Sequence, residues 1–180
     1  QLHYFTPDQA RLASAFADQV AIVMENARLY QEARQAAERR AILHRVSQEI
    51  VTANFEPEQI YTAIHRAAGQ LMPTEAFIIT LVAADPLQAE AVYLIDKNGR
   101  LPRQSFPKDQ GLTGRVLALG KTIYIPDVDQ EDSQAGQQSI SHEHTRSILA
   151  LPLRSGDRLI GMISTQSYQP NAYSSEDQYL

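Results

Sequence analysis

The hydrophobic pattern opens with one long helical stretch. Residues 6–53 contain no glycine and no proline after Pro7, and residues that favour helices dominate them. Thr6 is suited to cap the first turn, and Pro7 is suited to the first helical position. The sequence therefore predicts a single helix over residues 6–53, far longer than most helices inside globular domains.

Apolar residues in this helix form two partial seams. One is a stripe made by Leu12, Phe16, Val20, Val23 and Ala27. The other recurs every seven residues, as in a coiled coil, at Ile22, Leu29, Ala36, Leu43 and Ile50. Residues 31–40 between the apolar ends are nearly all polar or small. This pattern favours a helix that connects two modules, and an amphipathic helix packed on its own domain is the alternative.

The rest of the chain alternates between helix and strand. Apolar spacing predicts a second helix over residues 56–72, and the apolar run at 76–84 predicts a buried strand. A further strand is predicted at 90–96, where Asn98-Gly99 supplies a hairpin turn. Residues 100–110 are expected to be irregular. The remaining elements are a short helix at 112–119, a strand at 122–126, a polar loop at 127–145, strands at 146–153 and 158–168 joined by Ser155-Gly156-Asp157, and the start of a helix at 173–180.

Two segments of the chain resemble each other. Residues 5–12 and 173–180 both run from an aromatic residue through a cap, a small residue or proline, and an acid to a leucine. Self-similarity of this kind is typical of tandem modules. We interpret residues 1–37 as the last helix and linker of a preceding module, and residues 38–180 as a module lacking most of its own last helix. Residues 8–30 are expected to pack on a second module or on another copy, giving a homodimer.

Composition narrows the classes of function. The formal net charge is -5, with 16 basic and 21 acidic residues, which argues against nucleic acid as a partner. No apolar run approaches the ~18 residues of a membrane span, so no membrane partner is expected. The chain has no cysteine, which removes disulfides, thiolate metal sites and cysteine nucleophiles, and fits a cytoplasmic protein.

The sequence lacks a recognisable catalytic constellation. Residues 45–50 have the outline of the Ser-His-Glu box of sensor kinases, but Gln48 stands where the phosphoacceptor histidine is needed. His44, one turn earlier, has no flanking acid. Since no Ser-His-Asp order or paired carboxylates stand out either, we expect no enzymatic activity.

Three segments resemble the GAF family of small-molecule sensor domains. Residues 111–128 resemble the family's glycine turn, short helix and strand, residues 146–167 resemble its terminal hairpin, and residues 173–180 resemble the entry to its last helix. The resemblance covers roughly residues 40–180, and residues 4–37 look like the tail of a preceding copy.

The resemblance implies an α+β fold, with a central antiparallel sheet of about five or six strands preceded by the long connecting helix. Helices would pack on one face, and a ligand pocket would lie under loops on the other. It also implies a regulatory module that dimerises through parallel helices and passes ligand state to an output domain, such as a histidine kinase. A structural dimerisation module with no ligand is the alternative. Family members that reduce oxidised methionine depend on cysteines, and none is present.

The resemblance leaves the cofactor unknown. The Asn-Lys-Phe-Asp-Glu signature of cyclic-nucleotide-binding members is not found, and Lys97-Asn98 falls in a turn instead. Bilin-binding members usually need a cysteine. A haem would need an axial ligand, for which His142 and His144 are candidates, and the same pair could hold a metal in a loop.

Candidate ligand contacts come from strands and the segments between them. Gly111 and Gly114 are expected to turn the chain into a helix packed closely on the sheet. The alternative is that the intervening amides of Leu112 and Thr113 also face a carbonyl or anionic ligand. The acidic segment offers candidate calcium ligands, with a solvated loop as the alternative: Asp127, Asp129, Glu131 and Asp132. The candidate pocket residues are Phe77, Tyr93, Gly111, Leu112, Thr113, Tyr124, Ile125, Asp127, Arg146 and Ser147.

Overall fold

The computed structural model describes residues 6–52, 56–131 and 144–179. The chain divides into two compact units, Gln1–Arg45 and Val46–Leu180. The helices are α1 (Pro7–Thr52), α2 (Pro57–Leu71) and α3 (Gly111–Leu119). The strands are β1 (Ala76–Val82), β2 (Gln88–Asp96), β3 (Gly99–Leu101), β4 (Gln104–Pro107), β5 (Ile123–Ile125), β6 (Ser147–Ser155) and β7 (Arg158–Ser167).

Helix α1 confirms the predicted long helix, and a reciprocal cap begins it. The Gln9 amide donates to Thr6 Oγ1 at 3.3 Å, while the Thr6 amide donates to Gln9 Oε1 at 2.9 Å. Nine large apolar side chains of α1 are between 47% and 71% exposed: Leu12, Phe16, Val20, Ile22, Val23, Met24, Leu29, Tyr30 and Leu43. Burying such side chains stabilises a protein, so their exposure marks a surface suited to contact.

The seven strands in the described part of the chain form one sheet, ordered β3-β2-β1-β7-β6-β5, with β4 also paired to β2. Every pairing is antiparallel. The predicted α+β class with a central antiparallel sheet is therefore confirmed. The expectation that residues 100–110 are irregular is wrong, because β3 and β4 lie there. Strands of three and four residues are too short to show the alternation that identifies a strand in a sequence.

Alternation along β1 and β7 separates the sheet into two faces. Phe77 and Ile79 of β1 pack with α2, so their side is called the α2 face. Met162 of β7 packs with Val116 of α3 on the opposite side, which is called the α3 face. Register assigns the remaining positions, since Ile79 pairs with Ile163 and Thr80 pairs with Met162. The two central strands of the sheet, β1 and β7, thus separate α2 from α3.

His65 ties α2 to its face of the sheet. Its Nδ1 atom lies 3.1 Å from the Tyr93 hydroxyl, and its ring stacks on Phe77 with centroids 4.9 Å apart. Burial, and to a lesser extent the positive charge of Arg100, lowers the pKa of His65. The Arg100 guanidinium lies 3.9 Å from the centroid of the Tyr93 ring. Phe77 and Tyr93 are thereby core residues of the α2 face.

The last segment of the chain is also fixed by a reciprocal cap. The Ser174 amide donates to Asp177 Oδ2 at 2.8 Å, and the Asp177 amide donates to Ser174 Oγ at 3.3 Å. These bonds open one turn of 3-10 helix, Asp177–Tyr179. Before it, the Tyr173 hydroxyl donates to the Pro73 carbonyl at 3.2 Å. The predicted start of a helix in this segment is therefore found as this single turn.

We predict that Gly161→Ala destabilises the module by about 1–3 kcal/mol, because overpacking forces the backbone to shift. A Cβ at position 161 would lie 2.0 Å from the carbonyl oxygen of Thr80 on the neighbouring strand. Gly69→Ala in α2 is the control, since its Cβ would meet the tip of the Thr74 side chain at 2.9 Å and alanine favours a helix. Urea denaturation of both variants measures the difference, and equal midpoints would contradict the prediction.

Candidate functional site

A charged pair joins the segment after β5 to the start of β6. The Asp127 carboxylate accepts from Arg146 Nε at 2.9 Å and from Arg146 Nη2 at 2.8 Å. Gln130 Nε2 also donates to it, at 3.0 Å. Asp127 is only 5% exposed, and the bonds from Arg146 lower the pKa of its carboxyl group. This two-point contact fixes both backbone segments at the edge of the sheet.

A cleft of about 340 Å³ opens beside this pair. Its volume is at the lower end of the range for small-molecule sites. The lining residues are Tyr124, Ile125, Pro126, Asp127, Gln130, Glu131 and Asn171. Three candidate residues from the sequence, Tyr124, Ile125 and Asp127, are thus brought together. A fourth, Arg146, lies against Asp127.

The candidate calcium ligands contact arginines. Arg146 Nε lies 3.0 Å from Asp129 as well as binding Asp127, and Arg115 Nη2 donates to Glu131 at 3.0 Å. Across residues 6–52, 56–131 and 144–179, no group of three or more histidines or acids is placed to hold a metal ion. His144 contacts the Asp129 carboxylate through Nε2. Asp132 and His142 lie outside the described residues.

The two glycines of α3 have different backbone roles. Gly111 begins the helix with a φ of 58°, a conformation that favours glycine. A Cβ on Gly114 would lie 2.2 Å from the carbonyl oxygen of Asp109. The close approach at Gly114 is thus to the preceding loop, while the helix packs on the sheet through Val116, as predicted. Leu112 packs on the apolar cluster of α3, and Thr113 is 3% exposed. Their role as ligand contacts stays a prediction.

The remaining candidate residues do not share one pocket. Phe77 and Tyr93 lie on the α2 face, whereas Ile125 packs with Val116 on the α3 face. Ser147 Oγ donates to the Gln169 carbonyl at 2.8 Å, which anchors the last segment of the chain. Tyr124 meets the Tyr173 ring edge-on, at a centroid distance of 6.1 Å. Two faces of the sheet therefore divide the predicted set, and the ligand role of each residue stays a prediction.

A row of buried polar side chains lies on the α3 face, and none of the candidate residues from the sequence belongs to it. Thr80 on β1 and Ser164 on β7 are 0% exposed, and Gln166 is 5% exposed. Thr145 Oγ1 donates to Gln166 Oε1 at 2.8 Å, and Gln166 Nε2 donates to Ser164 Oγ at 3.0 Å. These four residues, Thr80, Thr145, Ser164 and Gln166, are called the polar row below.

The polar row lies between two apolar clusters. On the β5 side the cluster contains Val116, Ile123, Ile125, Ile148, Ala150 and Met162. On the β2 side it contains Ile78, Ala91 and Leu94, with Leu101 and Phe106 packed against them. Thr80 Oγ1 has no hydrogen-bond partner among the described residues. Because an unpaired buried hydroxyl costs about 1–3 kcal/mol, a polar row at the sheet centre is a candidate binding surface.

The sequence does contain a signal for this row. Along β7, successive positions on the α3 face change from apolar Met162 to polar Ser164 and Gln166. The strand is central in the sheet, where both faces are covered and apolar residues are usual. The signal is informative only for a strand at the centre of the sheet, because polar residues are common on edge strands.

These features define an α+β domain whose antiparallel sheet carries α2 on one face, and α3 with a candidate binding surface on the other. The sequence model of the GAF domain family matches residues 56–180. The chain therefore belongs to the GAF domain family. No curated protein matches the chain.

Solved structures have the same fold. The GAF domain of a phosphoenolpyruvate-protein phosphotransferase from Acinetobacter is 16% identical with a TM-score of 0.58, over 79% of this chain and 84% of that one. The corresponding domain from Coxiella burnetii is 17% identical with a TM-score of 0.56, over 80% and 86%. Free methionine-R-sulfoxide reductase from Neisseria meningitidis, in complex with its substrate, is 21% identical with a TM-score of 0.54, over 81% and 82%. At these identities the likeness concerns the fold alone.

None of the helices formed by the described residues combines the length and the apolar character that a membrane crossing requires.

We predict that Asp127→Asn lowers the melting temperature at neutral pH, because the variant loses the charge-assisted bonds with Arg146. Since the pKa of Asp127 is lowered in the folded state, its stabilisation is complete above its unfolded pKa of about 3.9 and is lost as the pH falls through the folded value. The difference in melting temperature between Asp127→Asn and the wild-type chain should therefore become smaller only below about pH 4. Calorimetry from pH 7 to pH 3 measures it.

Asp129→Asn is the control for this prediction. Asp129 also contacts Arg146, but its side chain is 47% exposed, so its loss should matter less. If the melting temperatures of Asp127→Asn and the wild-type chain differ by the same amount from pH 7 to pH 3, the ionised Asp127 carboxylate is not the source of the stabilisation.

Proposed function

We propose that this chain is a regulatory, small-molecule-sensing module of a cytoplasmic signalling protein. The polar row carries the proposal, because it places hydroxyl and amide groups in the sheet centre, where a purely structural core is expected to be apolar. The ligand would lie over this row on the α3 face. Ile125 belongs both to the cleft lining and to the apolar cluster of that face, so the cleft adjoins the proposed site.

We propose that the module has no catalysis of its own. The Neisseria relative is an enzyme, and its structure holds a substrate. Reductases of that kind are expected to depend on cysteines, and this chain has none. The polar row offers hydroxyl and amide groups, which bind a ligand but supply no nucleophile or base of the usual strength.

The exposed seam of α1 supports a homodimer that relays ligand state. Leu12, Phe16 and Val20 lie four residues apart and are more than half exposed, as expected of a helix that pairs with another. A ligand that prefers one shape of its site would shift the population of helix arrangements, and an output domain would read the shift. A histidine kinase is one output domain of this kind.

The two reciprocal caps support the proposed domain organisation. Thr6 and Gln9 bond to each other as Ser174 and Asp177 do, through a side chain and an amide in both directions. The pairs occupy equivalent positions in the two similar segments, residues 5–12 and 173–180. We infer that residues 1–37 are the end of a preceding module of the same fold, and that the module of residues 38–180 follows it.

A structural dimerisation module is the alternative function. The exposure of the apolar side chains of α1 favours it, because they explain dimerisation without any ligand. The two functions differ in whether the polar row is occupied.

We predict that the purified chain carries, or can be loaded with, a small molecule that native mass spectrometry detects and denaturation releases. Ser164→Ala should reduce its occupancy, because Ser164 lies in the polar row. Ser167→Ala is a matched control, since Ser167 is buried in the same strand on the α2 face. A chain with no added mass, and no thermal stabilisation across a metabolite library, would favour the structural alternative.

We predict that Phe16→Glu combined with Val20→Glu converts a dimer into a monomer, because the charges would be buried in the apolar seam. Ser14→Glu adds a charge to the same helix on a different face from Phe16 and Val20, and it should leave the dimer intact. Sedimentation velocity at several concentrations measures the state. A wild-type chain that is monomeric at every concentration would contradict the dimer.

A further inference from the structure

One backbone carbonyl joins three parts of the module. The Pro73 carbonyl, one residue beyond the C-cap of α2, accepts from Thr165 Oγ1 at 2.9 Å and from the Tyr173 hydroxyl at 3.2 Å. Thr165 lies on the central strand β7, and Tyr173 lies in residues 168–174, which are called the terminal segment. Both side chains are buried, at 2% and 4% exposure. Since a carbonyl oxygen has two lone pairs, these two bonds use its accepting capacity.

The Tyr173 hydroxyl keeps its proton in this position and remains a donor. Burial is the largest cause that raises the pKa of Tyr173 above its ordinary value. The ring is held by the edge-on contact with Tyr124. Because a buried hydroxyl without an acceptor is unfavourable, the Tyr173 side chain and the Pro73 backbone are expected to move together.

This hydrogen bond joins elements that are far apart in the chain. Pro73 follows the last turn of α2, where the Met72 amide donates to the Ala68 carbonyl at 2.9 Å. Tyr173, one hundred residues later, directly precedes the reciprocal cap of Ser174 and Asp177. A displacement of the last turn of α2 therefore reaches the cap directly, without passing through the sheet.

The other anchors of the terminal segment reach different parts of the module. The Asn171 amide donates to the Pro126 carbonyl at 2.7 Å. Ser147 Oγ donates to the Gln169 carbonyl at 2.8 Å and accepts from the Ala172 amide at 3.3 Å. These bonds hold the segment to the start of β6 and to the residues after β5. The bond from Tyr173 differs from them, because it reaches the end of α2.

We infer that the Tyr173–Pro73 hydrogen bond is a conformational coupling element, which makes the last turn of α2 and the cap at Ser174 open and close together. Tyr173 is a positioning residue, since it acts through the Pro73 carbonyl. By linkage the coupling has the same size in both directions, from α2 to the cap and from the cap to α2. The coupling requires no ligand on the polar row, so it goes beyond the proposed function and is tested separately from it.

Amide hydrogen exchange of the whole chain, followed by NMR, tests the coupling from the cap to α2. Asp177→Ala removes the cap and should speed exchange of the Met72 amide about fivefold, as expected when one hydrogen bond of ordinary strength is lost. In a chain that also carries Tyr173→Phe, Asp177→Ala should leave the Met72 rate unchanged. The amides of β6 report opening of the whole module, and rates are compared relative to them.

The reverse direction has its own variant. Ala68→Gly loosens the last turn of α2 and should speed exchange of the Ser174 amide about fivefold, but only when the Tyr173 hydroxyl is present. Tyr124→Phe is the matched control, because it removes the hydroxyl of the neighbouring ring and retains the ring contact. Both effects should persist in full in the Tyr124→Phe chain.

The effect of one end on the other is the decisive quantity. Tyr173→Phe alone should lower the melting temperature, and a hydroxyl with a merely structural role would do the same. If Asp177→Ala changes the Met72 rate equally with and without the hydroxyl, or changes it in neither chain, the coupling is overturned. Neither result bears on whether a small molecule occupies the polar row, which native mass spectrometry decides.

Discussion

The pairing of β1 with β7 is the contact on which the module depends. These strands are far apart in the chain, yet they register residue by residue from Ala76 with Gln166 to Leu81 with Gly161. The pairing places two strands at the sheet centre and joins the β2 side to the β6 side. Gly161 permits the close backbone approach to Thr80. Every statement about the two faces follows from this register, because a slip of one residue exchanges them.

The same register explains why the polar row and the apolar core under α2 lie on opposite faces of one sheet. Ile79 and Ile163 point to α2 and help to bury the stacked rings of His65 and Phe77. Thr80 and Ser164 point the other way, between two apolar clusters. The α2 face supplies stability through apolar burial, and that stability can offset the cost of polar groups on the α3 face. The Asp127–Arg146 pair has a different role, because it fixes the edge of the sheet beside the cleft.

Much of the fold was predictable because it depends on local patterns. The length of α1 followed from the absence of glycine and proline, and the β6–β7 hairpin followed from the turn residues around Gly156. The short strands β3 and β4 were not predictable, because three or four residues cannot display a period. The site was predictable only in part. Tyr124, Ile125 and Asp127 line one cleft, whereas Phe77 and Tyr93, chosen for the same strand-like surroundings, lie in the core under α2 and not at that cleft.

The sequence alone determined most of the element types, the capping residue Thr6 and the family resemblance, since each depends on residues within a few positions of one another. The tertiary structure decided which strands are central, which face each side chain occupies and which donors remain unpaired. Thr80 and Ser164 illustrate the reason. In the sequence they are two ordinary polar residues in strands, and only the long-range pairing of β1 with β7 makes them buried neighbours of two apolar clusters. Burial is what gives a hydroxyl its energetic significance, and burial is a property of the assembled sheet.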